Sequence, residues 1–128
     1  MRILIGGSHG LIGSPLVALL KAQGHDVIRL VRSHPQGTDI IWNPTTGQLA
    51  TEDALEGFDA IIYLAGVSIG ERRWTTKSKN EVWDSRIVGT ELLCRRLADV
   101  VARPSVVLVA SAVGYYVNRG DEQLTEES

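Results

Sequence analysis

A chain of 128 residues with 44% hydrophobic content is long enough for one domain with a buried core. Its 13 Lys and Arg against 15 Asp and Glu leave a formal charge of −2, which removes any electrostatic case for nucleic acid or an anionic membrane surface as partner. No apolar run reaches membrane-spanning length, and the single cysteine, Cys94, rules out an internal disulfide and fits a cytoplasmic location. Cys94 itself falls in a helical pattern and reads as a small buried apolar residue.

The chain opens on a strand and not on a signal peptide: Ile3-Leu4-Ile5 is a short apolar run suited to full burial. Gly6-Gly7-Ser8-His9-Gly10-Leu11-Ile12-Gly13 follows, and a helix is expected next, with Ile12, Leu16, Leu19 and Leu20 on one face. Strand, glycine-rich turn and helix is the order a dinucleotide site needs. Such a turn brings main-chain N–H groups to a pyrophosphate, and the helix N-terminus adds partial positive charge. In the spacing G-x-x-G-x-x-G, Gly7 makes the tight turn and Gly10 leaves room for phosphates. Gly13 lets the helix pack closely. His9 reads as a solvent-facing loop residue.

Gly24 is a good helix stop, and Val27 to Arg32 reads as the second strand. The end of that strand meets the adenosine ribose in a dinucleotide site. A carboxylate there would bind a 2′-hydroxyl, whereas Arg32-Ser33-His34 offers an arginine suited to a 2′-phosphate, so NADP is favoured over NAD. Asp39 to Trp42 and Gln48 to Ala50 flank the turn chemistry of Asn43-Pro44-Thr45-Thr46-Gly47, which predicts a small hairpin; Trp42 reads as packing. One helical turn is expected over Thr51 to Leu55.

Ala60 to Leu64 is another buried strand, and Ala65-Gly66 at its end allow close approach of a cofactor to the backbone. The polar loop from Val67 to Lys79 carries Arg72, Arg73, Trp74, Lys77 and Lys79, which suit either an anionic ligand or solvent. A long helix is predicted from about Lys77 to Ala102, with Val82, Trp83, Ile87, Leu93, Leu97 and Val101 facing inward and Ser78 with Glu81 as a capping box. Gly89 within it points to close packing against a neighbour. Beyond Pro104, Val106 to Ala110 is the next parallel strand, with Ser111 at its end. Alternating strands and helices predict an α/β Rossmann-like fold: three layers, a parallel sheet with helices on both faces. The glycine turn, Arg32, Leu64-Ala65-Gly66 and Ser111 then share the C-terminal edge of that sheet, where open α/β sheets bind ligands.

Several of these pieces together resemble a family. They are Gly7-x-x-Gly10-x-x-Gly13, Trp42-Asn43-Pro44, Tyr63-Leu64-Ala65-Gly66, Arg73-Trp74-Thr75 with Lys79, Asp84-Ser85-Arg86 with Gly89-Thr90, and Ser111-Ala112-Val113-Gly114-Tyr115-Tyr116. In this order they resemble the N-terminal portion of an extended or atypical short-chain dehydrogenase/reductase of the epimerase-like subfamily. The resemblance implies that residues 1–128 form an NADP(H)-binding Rossmann domain, with contacts from Gly7, Gly10, Leu11, Ile12, Gly13, Arg32, Ser33, Leu64, Ala65 and Gly66. Ser111 would hold the place of the catalytic hydroxyl that polarises a substrate carbonyl or hydroxyl. Arg86 stands where most of the superfamily has asparagine and could reach the cofactor or the sheet backbone; Glu81 on the same helix is a second cofactor-side candidate.

The resemblance also implies absences. The helix bearing a tyrosine and lysine four residues apart, and the substrate-binding C-terminal segment, are expected to be missing. The expected function is therefore the NADP(H)-binding part of an epimerase-like oxidoreductase that transfers hydride to or from a small hydroxyl or carbonyl substrate. This segment would be inactive alone. A cofactor-sensing module without catalysis is the alternative. No metal is expected, and the bare sheet edge invites self-association into a homo-oligomer.

Overall fold

The computed structural model describes residues 1–70, 73–112 and 116–127. Its elements run β1 (Arg2–Gly6), α1 (Gly13–Ala22), β2 (Asp26–Val31), β3 (Ile40–Asn43), β4 (Gln48–Leu49), β5 (Ala60–Tyr63), α2 (Thr76–Asp99) and β6 (Val106–Val109). The strands form one sheet in the order β4-β3-β2-β1-β5-β6. Every pairing is parallel except that of β4, which turns back on β3 as the expected hairpin. Asn43 makes that turn: its Oδ1 accepts the N–H groups of Thr45 and Thr46, and Gly47 closes it at φ 71°. The fold is the mostly parallel, Rossmann-like α/β sheet that the alternating pattern predicts.

The two-residue period of β1 divides the core. Ile3 and Ile5 face one side, where Val27 and Ala60 join them against Leu16, Val17 and Leu20 of α1. Leu4 faces the other, with Ile28, Leu30, Trp42, Phe58, Ile61 and Tyr63 against Leu93 and Leu97 of α2. Both faces are thus covered near β1, as a parallel sheet requires. Towards β6 they are not: Val106, Val107, Leu108 and Val109 are all exposed.

Both helices are rotated from their sequence-based phase. On α1, Leu16, Val17 and Leu20 point inward while Ile12 and Leu19 are exposed. On α2, the buried stripe is Gly89, Leu93 and Leu97, spaced by four residues. Trp83 and Ile87 lie on the neighbouring row and are exposed, and Val101 falls beyond the helix end. Cys94, one residue off the stripe, is exposed and not a core residue. The capping box is built one turn earlier than expected, by Thr75 and Ser78: Ser78 N–H donates to Thr75 Oγ1 (3.1 Å) and Thr75 N–H to Ser78 Oγ (2.8 Å). The helix stops at Asp99, short of Ala102; past it, the N–H groups of Val101 and Ala102 donate to the Glu56 carboxylate. Residues 51–57 form turns and no helix.

Tyr63 sets how deeply α2 docks. Its ring covers Gly6 of β1, where a Cβ would stand 2.6 Å from the ring, and its hydroxyl lies 3.0 Å from where a Cβ on Gly89 would be. Pro44 fills the third side, 3.3 Å from the same point. The expected close packing at Gly89 is therefore a tyrosine wedged between two glycines. The phenol is buried without a hydrogen-bond partner among the described residues, and so is the facing Trp42 Nε1. Burial pushes the Tyr63 hydroxyl above the ordinary tyrosine range, against the opposing pull of the Trp42 N–H and the Arg32 charge. Deleting an unsatisfied hydroxyl is close to neutral, so Tyr63→Phe is expected to melt within a few degrees of wild type. Gly89→Ala is expected to lose about 1–3 kcal/mol by overpacking, part of it regained in the Gly89→Ala, Tyr63→Phe double variant; thermal denaturation of the four proteins checks this.

Candidate functional site

β1 lies between β2 and β5, so the chain leaves β1 to one side and returns to the other. The resulting crevice, at the C-terminal ends of these strands, is where an open α/β sheet receives a ligand. An open cavity of about 410 Å³ occupies it. Its wall brings together Gly7, Gly10, Arg32, Ser33, Leu64, Ala65 and Gly66 from the residues expected at the site.

The glycine turn explains its own composition. Gly7 has φ 79°, and a Cβ on it would stand 2.7 Å from the Leu64 carbonyl carbon. A Cβ on Gly13 would strike the Gly7 carbonyl oxygen at 2.2 Å, so the close contact made by Gly13 is with the turn itself, just past β1. Gly10 differs: a Cβ there would meet only Gly7 O at 3.3 Å, and the residue is exposed on the cavity wall. Two glycines are needed by the chain and the third leaves space.

No side chain caps α1 at its N-terminus. Among the described residues the amides of Leu11, Ile12 and Gly13 carry no hydrogen bond, so the positive end of the helix dipole lies open beside the turn. The side chains of Leu11 and Ile12 project into solvent, 95% and 66% exposed, and neither lines the cavity. Any part they take is through their main chain.

Arg32 and Ser33 follow β2 directly and stand on the cavity wall. Arg32 is exposed and has no carboxylate partner among the described residues, so its charge is available to an anion. Arg29, three residues earlier, is fully engaged. Its Nε donates to Asp39 Oδ1 (2.8 Å) and its Nη2 to Oδ2 (2.5 Å), which also accepts the Gln36 N–H (2.9 Å). Burial would raise the Asp39 carboxyl, but these donors outweigh it and hold it below the ordinary aspartate range. Arg29 Nη1 also reaches His9 Nε2 at 3.3 Å. On the other side of the ring, His9 Nδ1 lies 3.5 Å from Ser8 Oγ. His9 is exposed, as expected, but it also lines the cavity, and through Arg29 it ties the glycine turn to the 36–39 loop.

On the far wall, Leu64 N–H still donates to Gly6 O, and Ala65 and Gly66 then leave the ladder. Arg86 lies against Gly66, its guanidinium directed to the Val67 and Val82 carbonyls, and it does not line the cavity. Glu81 lies five residues earlier on α2, half-buried and also outside the wall. Ser111 is exposed, two residues past the end of β6, and is likewise not part of the wall. Sequence reasoning missed Pro44, Tyr63 and Ser85 as wall residues and assigned Trp42 to packing alone; it is both core and wall. Their signal was present in the Trp42-Asn43-Pro44, Tyr63-Leu64-Ala65-Gly66 and Asp84-Ser85-Arg86 motifs. Of the loop cations, Arg73, Lys77 and Lys79 are exposed and none lines the cavity. Arg72, Val113, Gly114 and Tyr115 lie outside the described residues. The described residues hold no metal-binding cluster and no helix long and apolar enough to cross a membrane.

A mostly parallel sheet with a glycine turn, an uncapped helix end and a crevice at the strand switch defines a Rossmann-like protein with a nucleotide-type site. The model of the NAD dependent epimerase/dehydratase family matches residues 3–128, and the chain belongs to that family. An epimerase family protein of Mycobacterium leprae is 42% identical over 125 residues, covering 97% of this chain and 40% of the relative. Among solved structures, a nucleoside-diphosphate sugar epimerase from Corynebacterium glutamicum is 36% identical at a TM-score of 0.80, covering all of this chain and 26% of that one. The human epimerase family protein SDR39U1, solved with NADPH, is 34% identical at a TM-score of 0.77 over 91% of this chain and 38% of its own. The chain thus spans well under half the length of these relatives.

Two outcomes test the site as described. Gly13→Ala is expected to abolish cooperative folding, whereas Gly10→Ala is expected to melt within a few degrees of wild type; circular dichroism melts separate them. Because Asp39 is held below its unfolded value near 3.9, its contribution is complete above about pH 4 and is lost as pH falls through the lower folded value. Asp39→Asn is therefore expected to be less stable than wild type at pH 6, by about 2 kcal/mol, with the gap closing toward pH 3. A gap independent of pH would contradict this assignment.

Proposed function

We propose that this chain is the NADP(H)-binding part of an epimerase-like oxidoreductase. The diphosphate is held by the open amides of Leu11, Ile12 and Gly13, the adenosine ribose by Arg32 and Ser33, and the remaining ribose and phosphate groups lie along Leu64 to Gly66. The observation that carries this reading is an arginine at the end of β2, without a carboxylate partner among the described residues and in the same cavity as the glycine turn, where a 2′-hydroxyl would call for a carboxylate instead. The NADPH in the human neighbour supports it. Two features of the turn support it: Gly10 leaves the cavity wall clear for a phosphate, and Gly7 and Gly13 hold the turn in shape.

The bound nicotinamide supplies hydride chemistry. The chain's own residues bind and orient: main-chain amides meet the diphosphate, and Arg32 offsets the 2′-phosphate charge. Ser111 is the candidate hydroxyl for a small substrate bearing a carbonyl or hydroxyl. A second reading, a cofactor-sensing module without catalysis, is favoured by one observation: Ser111 stands apart from the cavity wall.

Calorimetric titration of wild type and Arg32→Ala with NADPH and NADH tests the proposal. Wild type is expected to prefer NADPH. Arg32→Ala should lose about tenfold or more in NADPH affinity, the worth of one charge-assisted contact, with NADH affinity unchanged. Equal loss for both nucleotides would remove Arg32 from the 2′-phosphate role.

A further inference from the structure

One peptide segment on the cavity wall is held in a way that ligand-free packing does not require. After the Leu64 N–H bond to Gly6 O, the main-chain groups of Ala65 and Gly66 have no hydrogen-bond partner among the described residues, and both residues line the cavity. The next residue, Val67, is bound at both of its polar groups by consecutive side chains of α2. Its N–H donates to Ser85 Oγ at 3.1 Å, and its carbonyl accepts from Arg86 Nη2 at 3.1 Å. These two side chains are themselves fixed on the helix. Ser85 Oγ donates to Val82 O at 2.9 Å, and Arg86 Nη1 reaches the same carbonyl at 3.4 Å. The guanidinium also lies flat against Gly66: a Cβ there would stand 3.2 to 3.4 Å from its carbon and two of its nitrogens.

We propose that Ser85 and Arg86 form a clip that holds the Ala65–Gly66 main chain ready for the ligand, and that both are positioning residues for the dinucleotide rather than direct contacts. This rests on the nucleotide reading above and deepens it. The clip leaves open only those backbone groups between the ladder and Val67, and it fixes their direction. A free loop end would have to be ordered on binding, at a cost to affinity. Gly66 has a role beyond cofactor approach, because even a methyl group there would press on the guanidinium and shift it by a few tenths of an ångström. The clip is anchored one turn before Gly89, so the depth at which α2 seats on Tyr63 also sets where Val67 is held.

The test compares wild type with Ser85→Ala, Ser85→Thr, Arg86→Ala and Arg86→Lys, reading NADPH affinity by calorimetry, hydrogen exchange at the Val67 amide, and melting temperature. Ser85→Ala is expected to speed Val67 exchange and weaken NADPH about tenfold, the worth of one hydrogen bond holding the competent loop. Ser85→Thr keeps the hydroxyl and should restore both. Lysine retains the charge of Arg86 but not its planar fork, so Arg86→Lys should weaken NADPH as much as Arg86→Ala does. NADPH affinity retained in Arg86→Lys, or unchanged in Ser85→Ala despite faster Val67 exchange, overturns the clip alone. Wild type that binds no NADPH overturns the nucleotide reading as well.

Discussion

The constraint on which the molecule depends is the absence of two Cβ atoms beside one peptide. Gly7 turns the chain with a positive φ against the main chain of Leu64 and Ala65, and Gly13 sits on the Gly7 carbonyl. Together they bring the end of β1, the start of α1 and the end of β5 within backbone contact. No side chain fits into that junction, so three elements meet through main chain alone. The open amides of the helix end, the crevice and the free edge at Ala65 and Gly66 all follow from it.

Around that junction the sheet separates two tasks between its faces. The α1 side, through Ile3, Ile5 and Val27, seats the helix whose N-terminus faces the crevice. The α2 side carries the larger core and the Tyr63 wedge. Charge is arranged in the same economical way. Arg29 is consumed by Asp39 and His9 and ties two loops together, while Arg32 has no such partner among the described residues and stays available. Two arginines three residues apart thus differ in kind: one is structural cement and the other an unspent charge.

Much of this was legible in the sequence because it depends on local rules. The glycine spacing, the β-branched strands, the Asn43–Gly47 turn and the close packing at Gly89 are set by backbone sterics, and each is found where expected. Helix phase was read less well. Trp83 and Ile87 carry apolar mass on the row next to the buried stripe, so periodicity alone could not say which row faces the sheet; that is decided by Tyr63 and Pro44 meeting Gly89. For Ser85 the Asp84-Ser85-Arg86 motif marks the position but not the role. The partner of its hydroxyl, the Val67 N–H 18 positions earlier, is set only by how the fold places α2 against the end of β5.

The sheet is also unevenly sheltered. Ile3, Leu4 and Ile5 at its centre are 0–4% exposed, while Val106 to Val109 on β6 are 39–53% exposed on both faces despite full pairing with β5. Opening free energy should therefore decline from the middle of the sheet outward. The β5 ladder that ends at the crevice lies on that slope. Whatever comes to rest on the bare flank of β6, from this chain or another, would stiffen the nucleotide wall one strand away without touching it.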